Sequence, residues 1–210
     1  MTNRFTVILA DPPWEYDNPR NHKSSDGGTP YEQMSLEAIK ALPIRELAAT
    51  DCALFLWATH PKLPEAFDVL KAWGFHYITV AFNWIKLDPV AGSIRSGMGH
   101  WTNGNCEPVL LGKIGSPRRQ DKDVKQVVPA PMLGHSRKPD RIHSDIVRLM
   151  GDVPRVELFA RRRTPGWVCV GNEVTGHDIN EDISALMEGR WTNEDEARVE
   201  KARQLSLFAA

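Results

Sequence analysis

Residues 5–14 read FTVILADPPW, and they indicate the class of fold most clearly. The first six residues form a largely apolar, β-branched run, which is typical of a strand covered on both faces of a sheet. Asp11-Pro12-Pro13 ends the strand, because proline cannot donate to a ladder of hydrogen bonds. In open α/β sheets, ligands bind beyond the carboxyl ends of the strands. The stretch therefore predicts an α/β domain with a binding site at residues 11–14.

The rest of the chain continues this alternation of strands and helices. Ser35 is placed to cap a helix, while Gly74 and Gly151 follow the ends of two others. Apolar runs predict strands at residues 53–58, 77–85, 108–111, 156–160 and 167–170, and helical spacing predicts helices at residues 36–42, 61–73 and 139–150. The pattern favours a three-layer α/β domain.

Three segments have little apolar periodicity and are expected to be loops, namely residues 15–31, 88–106 and 113–137. We expect residues 1–190 to form one catalytic domain. Residues 191–210 are polar until their last positions and are expected to form a flexible tail.

The composition of the chain excludes several classes of protein. With 210 residues and 41% hydrophobic residues, the chain can bury one core, and it contains no apolar run long enough to span a membrane and no signal peptide. Its three cysteines, Cys52, Cys106 and Cys169, are widely spaced and predict reduced thiols in a cytoplasmic protein. No group of potential ligands has metal-site spacing, so we expect no catalytic metal.

The net charge of -1 hides two opposed segments. Residues 113–141 carry a net charge of +5, whereas residues 178–200 carry -6. A basic segment can attract phosphate groups. Solvated surface explains both segments equally well, so charge alone leaves a nucleic-acid partner open.

The chemistry of residues 11–14 suits a planar amino-heterocycle. The Asp11 carboxylate and the Pro12 carbonyl can accept both hydrogens of an amino group and favour a pyramidal nitrogen with a localised lone pair. Pro13 stiffens the turn, and Trp14 adds a flat apolar surface on which an extruded base can stack. The alternative is a plain turn in which Asp11 caps its own backbone.

Six blocks in one order resemble the DPPW-motif family of adenine-N6 methyltransferases. The family includes the catalytic subunit of the eukaryotic mRNA adenosine methylase and bacterial and phage enzymes, and the likeness runs from Phe5 to Glu173. The blocks are Ala10 to Trp14, Leu54 to Trp57, Gly99 to Trp101, Ser136 to Asp140, Val156 to Arg161 and Gly171 to Glu173. The resemblance implies a Rossmann-like fold that binds S-adenosylmethionine, with a permuted order in which the catalytic strand comes first and the cofactor strand late.

The resemblance also implies roles for individual residues. Asp11, Pro12, Pro13 and Trp14 would form the catalytic turn. The cofactor would contact Asp11, Lys138, Arg161, Arg163, Thr164, Asn172 and Glu173, with Asn172 and Glu173 at the ribose hydroxyls. Glu173 stands where the family has Gln, and a carboxylate also accepts hydroxyl hydrogens. No residue of this sequence is assigned to the adenine of the cofactor.

The three loop segments have to supply target recognition, because the chain shows no large recognition domain. Substrate-binding residues are expected to be Trp14, Tyr31, His100, Trp101, Glu107, Arg118 and Arg119. Alternatively, a second subunit selects the nucleotide sequence that is methylated. A homodimer is also compatible with the sequence. Family resemblance alone allows both DNA and RNA as the target.

The chain end favours DNA. Gln204-Leu205-Ser206-Leu207-Phe208 closely resembles the short peptide by which bacterial replication and repair proteins bind the DNA sliding clamp. Leu207 and Phe208 can fill an apolar pocket while Gln204 hydrogen-bonds at its rim. The sequence therefore predicts a nucleoid-associated DNA enzyme, although an apolar end that folds back on the domain explains the same residues.

Other activities remain as alternatives. An RNA adenine-N6 methyltransferase shares every motif, and a catalytically silent nucleic-acid-binding partner is known among relatives. Intact Asp11, Lys138 and Asn172 argue against a silent partner. A cytosine-N4 enzyme is disfavoured, because Trp14 and not a tyrosine closes the tetrapeptide. A cytosine-C5 enzyme is disfavoured too, because the sequence has no Pro-Cys dipeptide to supply the nucleophile.

Overall fold

The computed structural model describes residues 4–16, 33–95, 97, 101–133 and 137–190. They fold into one seven-stranded sheet with helices on both faces. The strands are β1 (Phe5–Ala10), β2 (Ala48–Trp57), β3 (His76–Leu87), β4 (Cys106–Ile114), β5 (Val127–Pro131), β6 (Arg155–Leu158) and β7 (Val168–Val170). The helices are α1 (Leu36–Ala41), α2 (Ile44–Leu47), α3 (Leu63–Ala72), α4 (Arg141–Met150), α5 (Asn172–Thr175) and α6 (Ile179–Met187), with a 3-10 turn at His60–Lys62.

The strand order across the sheet is β5-β3-β4-β2-β1-β6-β7. Strand β4 runs antiparallel to both β2 and β3, and every other neighbouring pair is parallel. Residues 11–14, which the resemblance predicts to be catalytic and which we call the catalytic turn, follow β1, and β1 lies between β2 and β6. Several loops that leave the carboxyl ends of parallel strands therefore meet beside residues 11–14. The permuted order of the catalytic and cofactor strands stays a prediction of the resemblance.

The alternation of side chains along β1 fills two separate cores. Ile8 and Ala10 pack into the core that includes the buried faces of α1, α2, α3 and α6. Val7 and Leu9 face the opposite core, which includes α4. All four side chains are at most 1% exposed, which confirms the expected strand covered on both faces. The three-layer α/β prediction is therefore correct.

Helix ends follow the predicted capping residues. The Ser35 hydroxyl accepts a hydrogen bond from the Ala38 N–H, and Gly151, with φ +84°, ends α4. The indole N–H of Trp73 donates to the Ile39 carbonyl over 2.9 Å, which ties the end of α3 to α1. These contacts fix the helical layer beneath the catalytic turn.

Strand β5 and helix α6 correct the sequence predictions, and the four-residue helices α2 and α5 were not predicted either. Strand β5 lies inside the expected loop 113–137. It was not predicted, because Pro129 and Pro131 argue against a strand. Prolines are tolerated here since β5 is the edge strand of the sheet and pairs only with β3. Val128 and Ala130 are buried in the core, and this burial stabilises β5 at the edge of the sheet. Helix α6 was not predicted, although Asp178 caps it and Ile179 and Ile183 bury its inner face.

No helix among the described residues has both the length and the apolar character required to cross a membrane. The predicted tail at residues 191–210 lies outside the described residues.

Candidate active site

A cavity of about 390 Å³ opens at the carboxyl ends of the central strands. Its walls follow the order of the strands across the sheet: Glu107 on β4, Trp57 on β2, Asp11 after β1, Arg161 after β6 and Asn172 after β7. The other lining residues are Pro12, Pro13, Trp14, Tyr16, Gln33, Met34, Ala58, Thr59, Lys138, Phe159, Gly171, Glu173, Asp178 and Ile179. The cavity is thus a trough along the sheet edge with two distinct ends.

The catalytic turn is held by backbone hydrogen bonds. The Trp14 N–H donates to the Pro12 carbonyl over 2.9 Å, and the Met34 N–H donates to the Pro13 carbonyl over 2.9 Å. The Pro12 carbonyl, expected to be free, therefore already accepts one bond. A carbonyl oxygen carries two lone pairs, so one acceptor position is left for a ligand amino group.

Charged side chains alternate along the β4 end of the trough. Lys138 Nζ lies 2.7 Å from Asp11 Oδ2 and 3.6 Å from Glu107 Oε2, and Lys86 binds Glu107 Oε1. These four side chains are between 16% and 25% exposed. Asp11 Oδ1 has no hydrogen bond among the described residues. This row of four charged side chains (Lys86, Glu107, Lys138 and Asp11) therefore fixes the carboxylate of Asp11 and leaves one of its oxygens for a ligand.

The two carboxyl groups of this row respond differently to burial. Burial raises the pKa of Asp11 above its ordinary value, and the ion pair with Lys138 opposes this shift only in part. Burial also acts to raise the pKa of Glu107, but Lys138 and Lys86 together outweigh it, so that pKa is lowered. Glu107 is consequently a fixed negative charge, whereas Asp11 is the group whose protonation can change.

Two tryptophans support the lysines. Lys138 Nζ lies 5.1 Å from the centroid of the Trp57 ring, and Lys86 Nζ lies 5.2 Å from that of Trp84. The two rings meet edge to face with their centroids 6.3 Å apart. Cation–π attraction and packing therefore restrict both ammonium groups, which long flexible side chains alone would not achieve.

Trp14 contributes differently from the expectation that it stacks on a base. It lines the cavity but is only 6% exposed, because it belongs to the buried core that includes the helices α1, α2, α3 and α6. Little of its surface is therefore left for a ligand. Its indole Nε1 is buried and has no hydrogen-bond partner among the described residues.

The β7 end of the trough carries the residues that the resemblance places at the cofactor. Arg161 Nε donates to Glu173 Oε1 over 2.6 Å, and Asn172 lies beside this pair in the cavity wall. Gly171 donates its N–H to Asp182 Oδ2 over 2.9 Å, which anchors the start of α5. The arrangement offers a carboxylate, an amide and a guanidinium to the hydroxyl groups of a sugar.

The backbone is strained where β6 reaches the trough. Phe159 lines the cavity and has φ +60°, which is rare for an aromatic residue. Strained conformations of this kind cluster at ligand-binding sites, where surrounding structure maintains them. The Ala160 N–H donates to the Val170 carbonyl over 2.8 Å and holds the strained turn against β7.

Several predicted residues lie away from the cavity. Arg163 is exposed and does not line it, and Thr164 turns inward, with its N–H 3.3 Å from Cys169 Sγ. Among the predicted substrate residues, Trp101, Arg118 and Arg119 are exposed outside the cavity. Tyr31, His100 and the tail residues Gln204, Leu205, Leu207 and Phe208 lie outside the described residues.

Sequence reasoning missed part of the site. Tyr16 and Thr59 line the cavity and share a hydrogen bond of 2.7 Å between their hydroxyl groups, with no motif that marks them. Lys86 also carries no sequence signal, because its role depends on the register between β3 and β4. Asp178 and Ile179 do have a signal, since an acidic cap before helical apolar spacing marks the start of α6.

Comparison with known proteins shows the family of this chain. Residues 5–173 match the MT-A70 family. The chain is 30% identical over 195 residues to the type II methyltransferase M.MunI of Mycoplasma sp, which covers 84% of this chain and 80% of that protein. It is 33% identical to the Drosophila melanogaster N(6)-adenosine-methyltransferase MT-A70-like protein and 31% identical to the human N(6)-adenosine-methyltransferase catalytic subunit METTL3.

The alignments cover 84% and 91% of this chain but only 28% and 32% of those two eukaryotic proteins. The matched segment contains the catalytic turn, the row of charged side chains and the start of α5. The chain belongs to the MT-A70 family of methyltransferases, which use S-adenosylmethionine.

Proposed function

We propose that this protein transfers a methyl group from S-adenosylmethionine to the 6-amino group of adenine in DNA. The observation that carries the proposal is the Asp11 carboxylate, held by Lys138 at the wall of a cavity with one oxygen left for a ligand. The match to M.MunI extends over 80% of that protein, whereas the match to METTL3 extends over 32%. The tail peptide also favours DNA over RNA.

The trough fits the cofactor by size and by donor set. Its volume of about 390 Å³ lies within the range of small-molecule sites. Asn172 and Glu173 would hold the ribose hydroxyls, with Arg161 fixing one oxygen of Glu173. S-adenosylmethionine, when bound, supplies a methyl group that is activated for attack by a nucleophile.

Asp11 and the Pro12 carbonyl would orient the target amino group. Asp11 Oδ1 accepts one amino hydrogen, and the second lone pair of Pro12 accepts the other. The amino nitrogen then keeps its lone pair out of the ring and directs it at the methyl carbon. As the N–C bond forms and the C–S bond breaks, the bonding electrons stay on sulfur and positive charge develops on nitrogen. The Asp11 carboxylate stabilises that charge.

A proton must leave the methylated amino group. Asp11 suits this step because burial has raised its pKa, so its carboxylate accepts a proton more readily than an exposed aspartate. Lys138 stays bound to Oδ2 and fixes the orientation of the carboxylate throughout. Glu107 and Lys86 in turn hold Lys138 in place.

The pH dependence of methyl transfer should report this network. Activity needs ionised Asp11, so it should fall as pH decreases through the raised pKa of Asp11. Lys138→Met removes a charge that lowers this pKa and should move the acid limb of kcat/KM to higher pH. Glu107→Gln removes a charge that raises it and should move the limb to lower pH. Shifts of the same sign in both variants would contradict the assigned role of Asp11.

The choice of polymer is tested by methyl transfer to two natural substrates. The protein is incubated with cofactor and either unmethylated genomic DNA or total RNA, and the products are digested to nucleosides for mass spectrometry. We expect N6-methyl-2′-deoxyadenosine from DNA and less than about a tenth of that yield from RNA. Product from RNA alone would overturn the choice of polymer. Methylated cytosine would overturn the choice of base, and a lack of any product would indicate a silent partner subunit.

We further propose that the chain end recruits the enzyme to the DNA sliding clamp. The proposal rests on the sequence Gln204-Leu205-Ser206-Leu207-Phe208, in which two apolar side chains follow a polar one. Phe208→Ala should weaken binding of the full-length protein to purified bacterial clamp at least about tenfold, since it removes a buried aromatic anchor. Ala210→Ser is the matched control and should bind like wild type. Equal affinity of all three proteins in a titration would exclude this peptide as the contact.

A further inference from the structure

A carboxylate beneath the β7 end of the trough has no role in the chemistry proposed above. Asp182 lies on α6, is 2% exposed and does not line the cavity. Its neighbours on the same helix, Ile179 and Ile183, belong to the apolar core. An ionisable side chain is costly to bury unless polar partners compensate, so the partners of Asp182 indicate what it holds in place.

Within the described part of the chain, the polar partners of this carboxylate lie in one short segment. The Gly171 N–H donates to Asp182 Oδ2 over 2.9 Å, and the Thr175 hydroxyl donates to the same oxygen over 2.8 Å. His177 Nδ1 lies 3.6 Å from Oδ1. These three residues stand just before α5, at its last position and two residues after it. One buried side chain therefore holds both ends of α5.

Helix α5 needs such support because it is only four residues long. A helix of this length is not stable alone, since its nucleation costs more free energy than its few hydrogen bonds contribute. Its one apolar side chain, Val174, is only partly buried against the core. Asn172 and Glu173 line the trough but are exposed. The direction of these two side chains therefore depends on what anchors the backbone of α5.

We propose that Asp182 is a positioning residue for the methyl donor. Its hydrogen bonds hold α5 in place, and α5 presents Asn172 and Glu173 to the ligand. The inference rests on the proposed function, because that function assigns these two residues to the ribose hydroxyls. A donor that is held less well still reacts at the same rate once it is bound. Loss of Asp182 should therefore weaken donor binding and leave kcat at saturating donor unchanged.

Asp182→Leu tests this role, because leucine fills the same place in the core and accepts no hydrogen bond. An apparent dissociation constant rises by the inverse of the fraction of molecules in which the binding conformation, here α5 in place, is populated. We expect Kd for S-adenosylhomocysteine, measured by calorimetry, and KM for S-adenosylmethionine to rise together by at least about tenfold. The value of kcat at saturating donor should stay within about twofold of wild type. Glu181→Leu makes a similar change at the exposed neighbouring position of α6 and should leave all three quantities unchanged.

A pair of variants at Thr175 separates the hydrogen bond from the stability of the fold. Thr175→Val loses the hydroxyl that binds Asp182 and should raise both constants by at least about threefold. Thr175→Ser keeps the hydroxyl and should bind the donor like wild type.

Wild-type affinity in Asp182→Leu, or a fall of its kcat at saturating donor, would overturn this inference while leaving the proposed function intact. If Asp182→Leu does not fold, the Thr175 pair decides, and equal affinity of its two members would overturn the inference. Failure of wild type to bind S-adenosylhomocysteine would instead contradict the proposed function.

Discussion

Replacing Asp11 by asparagine is expected to lower kcat for methyl transfer by about 10³-fold. The amide keeps the size of the carboxylate, but it loses the charge that stabilises the developing ammonium and accepts its proton. It also removes one of the two carboxylate partners of Lys138, whose Nζ lies 2.7 Å from Asp11 Oδ2 and 3.6 Å from Glu107 Oε2. The measurement is single-turnover transfer of labelled methyl to DNA, which separates the chemical step from product release.

A control variant is needed to show that the fold is intact. Asp68→Asn makes the same chemical change at an exposed position of α3, away from the cavity, and should keep wild-type activity. Both variants should unfold within a few degrees of wild type. An Asp11→Asn protein that methylates DNA at the wild-type rate would refute the mechanism, because no other described carboxylate occupies the catalytic turn.

Replacing Gly171 by alanine is expected to lower the free energy of unfolding by about 3 kcal/mol. Gly171 has φ +152°, and a Cβ there would lie 2.7 Å from the Ala160 carbonyl oxygen and 2.8 Å from the Ala160 nitrogen. Both contacts are backbone atoms, which cannot rotate away as a side chain can. Relief of the clash has to separate the ends of β6 and β7, so affinity for S-adenosylhomocysteine should fall at least about tenfold as well.

Gly176 provides the matched control for this change. It also has a positive φ, +79°, but a Cβ there would meet no heavy atom within 4 Å. Gly176→Ala should therefore cost only the backbone term of about 1–2 kcal/mol and leave cofactor binding intact. Urea unfolding and calorimetry measure both quantities. Equal losses of stability in the two variants would show that the close approach of β6 and β7 contributes nothing.

Local sequence features predicted the central part of the fold. Residues 5–10 form the expected strand with their boundaries unchanged, since a continuous apolar run ended by two prolines has few alternatives. The direction of β4 could not be predicted, because an apolar run carries no information about which way a strand runs. Strand β5 was missed because proline argues against a central strand, and only the assembled sheet shows that Pro129 lies at an edge.

For the site, the sequence blocks indicated several residues that the structure brings together. Asp11, Lys138, Asn172 and Glu173 do meet in one cavity, although Lys138 lies 127 residues from Asp11 in sequence. Lys86 could not be foreseen, since its contact with Glu107 depends on the pairing of two antiparallel strands. Arg163 and Thr164 lie close to Arg161 in sequence and were expected at the cofactor, but neither residue lines the cavity.

The position of β1 between its neighbours has an evolutionary consequence. Groups that would meet the target lie toward β2 and β4 on one flank, and groups that would hold the methyl donor lie toward β6 and β7 on the other. Under the proposed function, substitutions toward β2 and β4 would change contacts with the target, while the residues toward β6 and β7 that would hold the methyl donor stay the same. Target choice and donor binding could then evolve separately on this fold.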